Sequence, residues 1–499
     1  MVRESLFGGF LVCALSLACG GEATRSRDDA GRAGAAGRAG SASGGSAGSS
    51  GGAGNAAGTT ASAGKGGAGA TGGSGGSAGS AGRGGSLGFV NPLPKPGSLH
   101  NLPTGDTLNS TPPILLAFED GLLIAGYTSD PALAGVSEFA SDQVAEVFFA
   151  RLDHKGDRLW SKPLPGSGVP IAMKFDPEGN IVIVAAYLPD RTKAIGSFLS
   201  TDNLYLAKIR PNGDLIYARD IPYDSGVVPY GLAVDAKGAS YVCGGYFSPD
   251  GLLSAFLAKY DADGHEVWVK KFPHTGTSAS ADGIALLANG DVAITGGFNG
   301  TIALGGGELT ALAMSGASPT SDGFIARFTP EGKHVESTRF GSALYDSGTD
   351  LVPLSGGDLL VSGSMSGISE IGGKTANGGD GSPFVARLDP QGNARFIAIA
   401  HATGTPYALV VDPDEQTFHL TGWFQQNYFL FEIDANGAVN PAGATVDGSL
   451  IWSNDIAVDS AGSLWVSGGF QYVIEFGNGV SLSAADKGVF LVRLDREAL

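Results

Sequence analysis

The chain has 499 residues, with 31 Lys+Arg against 49 Asp+Glu and a net charge of −18. No nucleic-acid partner is expected, because a nucleic-acid binder needs a basic surface to neutralise phosphates. The length allows about three domains or one large repeat fold, and 42% hydrophobic residues are enough for a core. The 81 glycines are more than double the usual share of about 7%, so part of the chain must be low-complexity or rich in turns.

The first feature along the chain is a short apolar segment, LFGGFLVCALSLA at 6–18, which follows Arg3. A transmembrane helix needs about 20 residues, so this segment is too short to span a bilayer. It predicts a secretory signal peptide over 1–18.

The end of that segment, LSLAC at 15–19, resembles the lipobox of bacterial lipoproteins. The resemblance implies that Cys19 is acylated and anchors the protein in a membrane. Gly20 rather than Asp follows the cysteine, which by analogy with that family implies sorting to the outer membrane. The alternative is a plain signal peptide cut near Ala18, with Cys19 incidental.

A low-complexity segment follows, in which residues 31–86 contain 23 Gly, 15 Ala and 10 Ser. Such a composition cannot bury enough apolar surface to fold, so we expect a disordered tether over 19–86. Its mean reach would be about 45 Å. Residues 1–86 hold 7 Lys+Arg and 4 Asp+Glu, which leaves 24 and 45 for 87–499, a net charge of −21. This charge favours solubility and cation binding over docking on anionic lipid.

The remainder of the chain is a repeat. In one recurring phrase an aromatic or aliphatic pair precedes Ala, a cation and an apolar residue, often with Asp and then Gly three residues on. It occurs at 148–156, 204–213, 255–264, 323–332, 383–392, 428–437 and 489–495. Its cation column holds Arg151, Lys208, Lys259, Arg327, Arg387, Glu432 and Arg493.

A second phrase alternates with the first. It occurs at 116–126, 172–186, 232–245, 284–297, 351–364, 408–422 and 456–469. Each phrase is two short alternating strands around a turn, in which Gly adopts the left-handed conformation. The sixth copy lacks the turn glycine, so we expect a looser hairpin there. Two hairpins per period make a four-stranded antiparallel unit, and seven such units predict an all-β, seven-bladed β-propeller over 87–499.

The two phrases resemble the bacterial β-propeller repeat family called SBBP. In that family a Trp follows the second turn glycine by four residues; here the column holds Trp160, Tyr217, Trp268, Glu336, Phe396 and Pro441. The resemblance covers about residues 110–499 and implies the propeller fold. It implies no defined activity, since the family consists largely of surface or secreted proteins.

The seventh repeat ends before its fourth strand. A ring that lacked this strand would leave an exposed sheet edge. We therefore expect the segment near 87–104 to pair with the last blade and close it, as an edge strand that tolerates its prolines.

The topology also predicts where a site would lie. Both turns of a blade lie on one face of the ring, which we call the turn face. The opposite face, which we call the variable face, carries the links between blades and the connections at 127–146, 187–203, 246–254, 297–322, 364–382 and 470–488. Function usually lies on variable loops held by a rigid scaffold.

Candidate site residues are acidic. We expect Asp224, Asp282, Asp346, Asp350 and Asp455 to lie on the links between blades. There they could ring the channel mouth, where Ca²⁺ would need six to eight oxygen ligands. Asp282, Asp350 and Asp455 are the candidate metal ligands; the alternative is that these residues cap turns. We expect no catalytic constellation and no other cofactor.

Other polar and aromatic residues have simpler interpretations. Cys243 occupies a column of small residues, so we expect a buried structural thiol. His274 and His401 lie on links and could reach the variable face. Trp423 and Trp452 are the candidates for an exposed recognition surface.

These patterns together predict a monomeric, lipid-anchored propeller of the bacterial cell envelope, at the outer membrane or cell surface. We expect it to bind a protein or glycan, or to act as a scaffold. The alternative is a metal-dependent enzyme of the lactonase, lyase or hydrolase class with its site at the channel mouth, which would rest on analogy with other propellers alone.

Overall fold

A computed structural model describes residues 96–102, 111–128, 146–163, 168–187, 203–223, 226–312, 320–400, 403–424, 427–440, 447–477 and 480–494. In these ranges the regular elements are thirty β-strands. No helix in the described part of the chain is long and apolar enough to cross a membrane. The predicted signal peptide, Cys19 and the predicted tether lie outside the described residues.

The strands fall into seven four-stranded sheets and one two-stranded hairpin. They are β1 (Pro96–Leu102), completing blade 7; β2 (Thr111–Phe118), β3 (Gly121–Thr128), β4 (Glu146–Asp153) and β5 (Arg158–Pro163) in blade 1; β6 (Gly168–Phe175), β7 (Ile181–Tyr187), β8 (Asn203–Ile209) and β9 (Leu215–Pro222) in blade 2; β10 (Val227–Val234), β11 (Ser240–Phe247), β12 (Leu253–Tyr260) and β13 (Glu266–Lys271) in blade 3; β14 (Ala279–Leu286), β15 (Val292–Phe298), β18 (Asp322–Phe328) and β19 (His334–Phe340) in blade 4, with the hairpin β16 (Thr301–Ala303) and β17 (Glu308–Thr310); β20 (Ser347–Pro353), β21 (Leu359–Ile371), β22 (Lys374–Leu388) and β23 (Ala394–Ile399) in blade 5; β24 (Thr405–Val411), β25 (Thr417–Phe424), β26 (Asn427–Asp434) and β27 (Val439–Asn440) in blade 6; and β28 (Asp447–Val458), β29 (Leu464–Gly477) and β30 (Val480–Leu494) in blade 7.

The first strand of each blade is the innermost one. Each first strand contacts the first strands of the two neighbouring blades, and β28 of blade 7 contacts β2 of blade 1. This cyclic order closes the ring. The predicted all-β fold with seven four-stranded antiparallel blades is therefore confirmed.

Blade 7 takes its outer strand from the other end of the chain. β1 pairs antiparallel with β30, with Leu99 opposite Val492 and Leu102 opposite Val489. β1 lies inside the segment 87–104 from which the sequence predicts the closing strand. Backbone N–H and C=O groups that β30 would otherwise expose between Val489 and Leu494 can thereby find partners.

Turns of one kind join the strands within a blade. In the turn that begins at Asp176, the carboxylate oxygen Oδ1 accepts the N–H groups of Glu178 and Asn180 at 2.9 and 2.8 Å, and Gly179 has φ +79°. The sixth copy, which lacks the glycine, has a turn one residue longer, closed by Asp412 and Thr417. Glu415 takes the left-handed conformation there, with φ +55°.

The hydrophobic core consists of seven clusters, one at each junction between consecutive blades. The cluster between blades 1 and 2, for example, contains Leu123, Phe149 and Ile183, all at most 1% exposed. Alternating side chains of each strand point to opposite faces of the blade. A blade therefore contributes one set of side chains to each of its two neighbours.

The aromatic column of the outer strands packs on the turn glycine of the following blade. A Cβ atom added at Gly264 would lie 2.7 Å from the Tyr217 ring, and one at Gly213 would lie 2.8 Å from Trp160. Phe396 contacts Gly437 in the same way. These turn positions therefore need glycine both for the left-handed backbone and for the close approach of the ring.

Two features of the variable face were not predicted from the sequence. The connection at 297–322 contains the hairpin β16–β17. The strands β21 and β22 are 13 and 15 residues long and extend to a turn at Gly372 and Gly373. Both features lie in the neighbouring blades 4 and 5. The strands β29 and β30 of blade 7 have similar lengths, 14 and 15 residues.

The role of β1 can be tested by deletion. Removing residues 87–104 should lower the melting temperature by at least about 5 °C, since about 1 kcal/mol corresponds to 2–4 °C for a domain of 150–250 residues. The matched control removes 41–58, which has the same length and lies in the Gly/Ala/Ser-rich segment. Equal melting temperatures for the two deletion variants, measured by calorimetry, would show that β1 does not stabilise the ring.

Candidate functional site

The innermost strands share an irregularity at one level of the channel wall. In six blades the pairing of the first and second strands skips one residue. The skipped residues are Ile171, Tyr230, Asp282, Thr349, Tyr407 and Asn454. Bulges of this kind re-aim side chains and are frequent next to active sites. The six bulge positions on the channel wall are therefore the first candidate site of the propeller.

Asp282 is one of these bulge residues. It lies within β14, so the prediction that it sits on a link between blades is wrong. The sequence pattern could not reveal this, because a bulge shifts the period of two by one residue. The hydroxyl of Ser280 donates to its carboxylate at 3.1 Å, and burial raises the pKa of Asp282 to about 7.

Asp350 and Asp455 each follow a bulge within an inner strand, so the prediction that they lie on links is also wrong. Their carboxylates nevertheless connect neighbouring blades. The two oxygens of Asp455 accept the N–H groups of Ile456 and, in blade 1, of Leu115, at 2.8 and 2.7 Å. Burial raises the pKa of Asp455 to about 6.

Asp350 repeats this arrangement between blades 5 and 6. Its oxygens accept the N–H groups of Leu351 at 2.7 Å and Leu409 at 3.1 Å. Burial raises its pKa as well. Both carboxylates therefore hold adjacent inner strands together.

The three predicted metal ligands do not form a metal centre by themselves. Within the described ranges no three His, Cys, Asp or Glu residues are placed to hold a metal ion. Asp350 and Asp455 already use both oxygens for N–H groups. Ca²⁺ takes six to eight oxygens, which is more than these residues supply by themselves. Metal binding at Asp282, Asp350 and Asp455 stays a prediction.

Two further residues of the inner strands were missed from the sequence, Lys174 and Tyr230. Lys174 on β6 is exposed, and its positive charge partly offsets the effect of burial on the pKa values of Asp350 and Asp455. Lys174 therefore adds an exposed positive charge to the innermost strand of blade 2.

Tyr230 is the bulge residue next to Asp282 around the ring. Its hydroxyl oxygen is buried and has no hydrogen-bond partner among the residues described. Burial and the Asp282 carboxylate raise the pKa of Tyr230, so the phenol is neutral and keeps its proton. Tyr230 can therefore donate a hydrogen bond but keeps its proton, whereas Asp282 can exchange a proton near neutral pH.

The variable face of blades 4 and 5 exposes an apolar patch. Leu312, Tyr345 and Ile368 are 45%, 58% and 72% exposed. Thr320 Oγ1 donates to Leu312 O at 2.6 Å. Ser366 Oγ donates to Tyr345 O at 2.7 Å. We call these three residues the apolar patch.

Two buried carboxylates fix the backbone beneath the apolar patch. Asp346 does lie on a link, as predicted. It is 1% exposed and accepts four hydrogen bonds, from Ser342 N and Oγ, Ser366 N and Ser369 Oγ, at 2.7–2.9 Å. It caps a loop, as in the alternative interpretation.

Asp322 has the same function in blade 4. Its Oδ2 accepts the N–H of Leu312 at 2.8 Å and an N–H of Arg339 at 2.6 Å. Burial raises the pKa of Asp322 despite these donors. The loops that carry the apolar patch are therefore anchored in the core.

A cavity of about 390 Å³ opens beside the apolar patch. It is lined by Thr275, Gly276, Thr277, Asn299, Gly300, Thr301, Thr310, Ala311 and Thr320. None of these side chains is charged, so the cavity suits a neutral group.

The structure describes some of the remaining candidates, and the others lie outside the described residues. Cys243 is fully buried and free, as expected. His274 is half-buried with Nδ1 at 3.1 Å from Ser254 Oγ, and burial lowers its pKa. Trp423 is half-buried on β25. The residues Asp224 and His401 and the side chain of Trp452 are not described.

Comparison with known proteins gives similarity of fold. No protein-family model matches the chain, so membership of the SBBP family stays a prediction. A curated relative, an uncharacterised WD repeat-containing protein of Acanthamoeba polyphaga mimivirus, is 25% identical over 272 residues. The match covers 44% of this chain but only 19% of that protein.

Two solved structures illustrate the range of similar propellers. The WD40 domain of Neurospora crassa Pan2 is 11% identical with a TM-score of 0.42, and covers 77% of this chain and 89% of its own. A periplasmic gluconolactonase of Pseudomonas aeruginosa is 14% identical with a TM-score of 0.42, covering 77% and 99%. At these values neither similarity assigns an activity to this chain.

The raised pKa of Asp282 predicts a pH-dependent stability. An unfolded Asp titrates near 3.9, so folding favours its protonated form, and this contribution is full below about pH 4 and lost as pH rises through about 7. Asp282→Asn removes the cost of ionisation. Its gain in free energy of unfolding over wild type should be larger at pH 8 than at pH 5 by at least about 1.4 kcal/mol, the equivalent of one pKa unit.

Urea denaturation at both pH values measures this difference. A gain of the same size at pH 5 and pH 8 would mean that the Asp282 carboxyl titrates as it does in the unfolded chain.

Proposed function

We propose that the chain is a lipid-anchored protein of the bacterial cell envelope that binds a partner protein through the variable face of its propeller. The observation that carries this proposal is the apolar patch of Leu312, Tyr345 and Ile368. Single exposed apolar residues are ordinary, but an apolar group of residues on neighbouring loops is typical of an interaction site. The lipid anchor itself rests on the resemblance of residues 15–19 to a lipobox.

The surroundings of the apolar patch support binding. Asp322 and Asp346 hold its loops by buried hydrogen bonds, so a partner would order little backbone on association. The uncharged cavity beside the patch could receive a side chain of the partner.

A glycan is the other ligand class within this proposal. Tyr345 offers an exposed aromatic face on which a sugar ring could stack. Leu312 and Ile368 are aliphatic and favour a protein, so we place the protein first.

Paired variants test the apolar patch. Wild type and the double variant Tyr345→Ser/Ile368→Ser are immobilised and exposed to detergent-solubilised envelope proteins of the producing organism. We expect wild type to retain a defined protein that the double variant retains at least about tenfold less, because the exposed apolar residues supply the central contacts. The control is Leu159→Ser, which removes a 57% exposed residue of the outer strand β5.

Three outcomes separate the ligand classes. A protein lost only in the patch variant supports the proposal. Binding to an array of purified glycans, lost in the same variant, moves the ligand to the glycan class. Equal retention by all three proteins would mean that the apolar patch is not the binding surface.

A specific observation favours a second candidate function, an enzyme of the lactonase, lyase or hydrolase class. Tyr230 and Asp282 occupy equivalent bulges of neighbouring inner strands, and they offer a neutral phenol and a carboxyl group with a pKa near 7. Such a pair could serve in general acid–base chemistry. The described residues supply no complete set of metal ligands, so no metal-dependent step is derived.

Elemental analysis discriminates between the two functions. If the chain is a binding protein, the purified full-length protein should contain no metal that Asp282→Asn or Asp455→Asn removes. A stoichiometric metal lost in these two variants, but kept in Asp263→Asn on the turn face, would favour the enzyme. The comparison uses mass spectrometry after dialysis, with folding of each variant verified by its melting temperature.

A further inference from the structure

One ion pair recurs in five blades near the turn face. The cation of the third strand contacts the Asp of the turn between the first two strands. The pairs are Arg151–Asp120, Lys208–Asp176, Lys259–Asp235, Arg327–Asp291 and Arg387–Asp358. Lys259 also donates to Pro330 O in the next blade at 3.2 Å. The repeat thus places a cationic N–H donor at this position.

Blade 6 reverses the charge at this position. Glu432 occupies the column of the cation, and His419 lies directly opposite on β25. His419 Nε2 is 3.1 Å from Asp412 Oδ1, and both residues are 2% exposed. Blade 6 therefore has the turn carboxylate of the other blades but neither their lysine nor their arginine.

The second nitrogen of His419 points to a missing donor. His419 Nδ1 is buried and has no hydrogen-bond partner among the described residues. When Nε2–H donates to Asp412, Nδ1 is an acceptor. Paired residues of adjacent strands share one face of the sheet, so the His419 ring and the Glu432 side chain lie on the same face of blade 6. A cationic N–H donor is the group that would satisfy both.

The neighbouring sequence supplies no cation of its own to bond His419 Nδ1 and Glu432. Residues 396–486 contain no Lys or Arg and ten Asp or Glu. Asp414 and Asp434 are exposed at the same end of blade 6. Glu415 is engaged with Ser355, whose N–H and hydroxyl donate to it at 2.7 and 2.8 Å. The local field therefore attracts positive charge.

We propose that the turn face of blade 6 binds a lysine or arginine side chain from a basic segment of a partner protein. The incoming N–H donor takes the position that the repeat's own cation holds in blades 1–5, between Glu432, His419 Nδ1 and Asp412. A metal ion fits less well, since no three His, Cys, Asp or Glu side chains in the described ranges are placed to coordinate one. This surface lies on the face opposite the apolar patch and is independent of it.

Restoring the missing cation tests the site. A fluorescein-labelled hexa-arginine peptide is titrated with the full chain, and the fluorescence anisotropy gives Kd. Glu432→Lys reinstates the residue type of the other blades, and should weaken binding at least about tenfold, or about 1.4 kcal/mol. The control is Glu178→Lys, the same change of charge at an exposed turn of blade 2, which should alter Kd less than about twofold because exposed charges are screened.

Two further variants separate binding from folding. Glu432→Gln keeps the size of the side chain and removes its charge, so it tests the site even if Glu432→Lys does not fold. His419→Phe keeps a buried ring but removes the acceptor nitrogen, and should weaken peptide binding in the protein that remains folded by circular dichroism. Equal weakening by Glu432→Lys and Glu178→Lys would overturn the proposal, since it would show attraction by net charge alone. Absence of measurable peptide binding at low ionic strength would overturn it as well.

Discussion

Closure of the ring is the constraint on which the rest of the structure depends. The seven hydrophobic clusters lie between blades and not within them, so a single blade has no core of its own. The last junction forms only when blade 7 meets blade 1, where Trp465 and Leu491 pack with Leu122. The outer strand of blade 7 comes from β1, near the other end of the described chain. Contacts between residues more than 300 positions apart thus complete the fold.

Closure of the ring also explains which hydrogen bonds the acidic residues of the inner strands make. Seven strands that converge on one axis cannot all pair with each other, so their edges need other hydrogen-bond partners. Asp350 and Asp455 provide them, each bonding an N–H group of the next inner strand. The Asp282 carboxylate instead accepts a hydrogen bond from the Ser280 hydroxyl of its own strand. Similar residues on one wall thus have different roles.

The fold could be predicted from the sequence because its determinants recur in every blade. Turn glycines, the cation column and the aromatic column each return about every 45–68 residues, so errors in one copy do not change the conclusion. The candidate sites have no such redundancy. The apolar patch lies on links and connections whose sequences do not recur from blade to blade, and Asp282 was misplaced because one bulge shifts the alternation.

Blade 6 lies between these two cases. Glu432 is visible in the sequence as the one acidic member of the cation column. The chemical role of Glu432 depends on His419, which lies 13 residues earlier. The pairing of β25 with β26 brings the two residues opposite each other. A departure from a repeat pattern can therefore be recognised in a sequence, whereas its chemical consequence requires the partner across the strands.

The pairing of β1 with β30 has a mechanical consequence. Any pull on the chain before Pro96 acts first on this seven-residue strand, whose hydrogen bonds share the load along the edge of blade 7. If the protein is tethered at its N-terminal end, tension from a bound partner passes through the same strand that keeps the ring shut. Under such tension β1 would separate from β30 first, before the junctions between blades open. The strand nearest the tether would therefore also be the first part of the propeller to unfold under force.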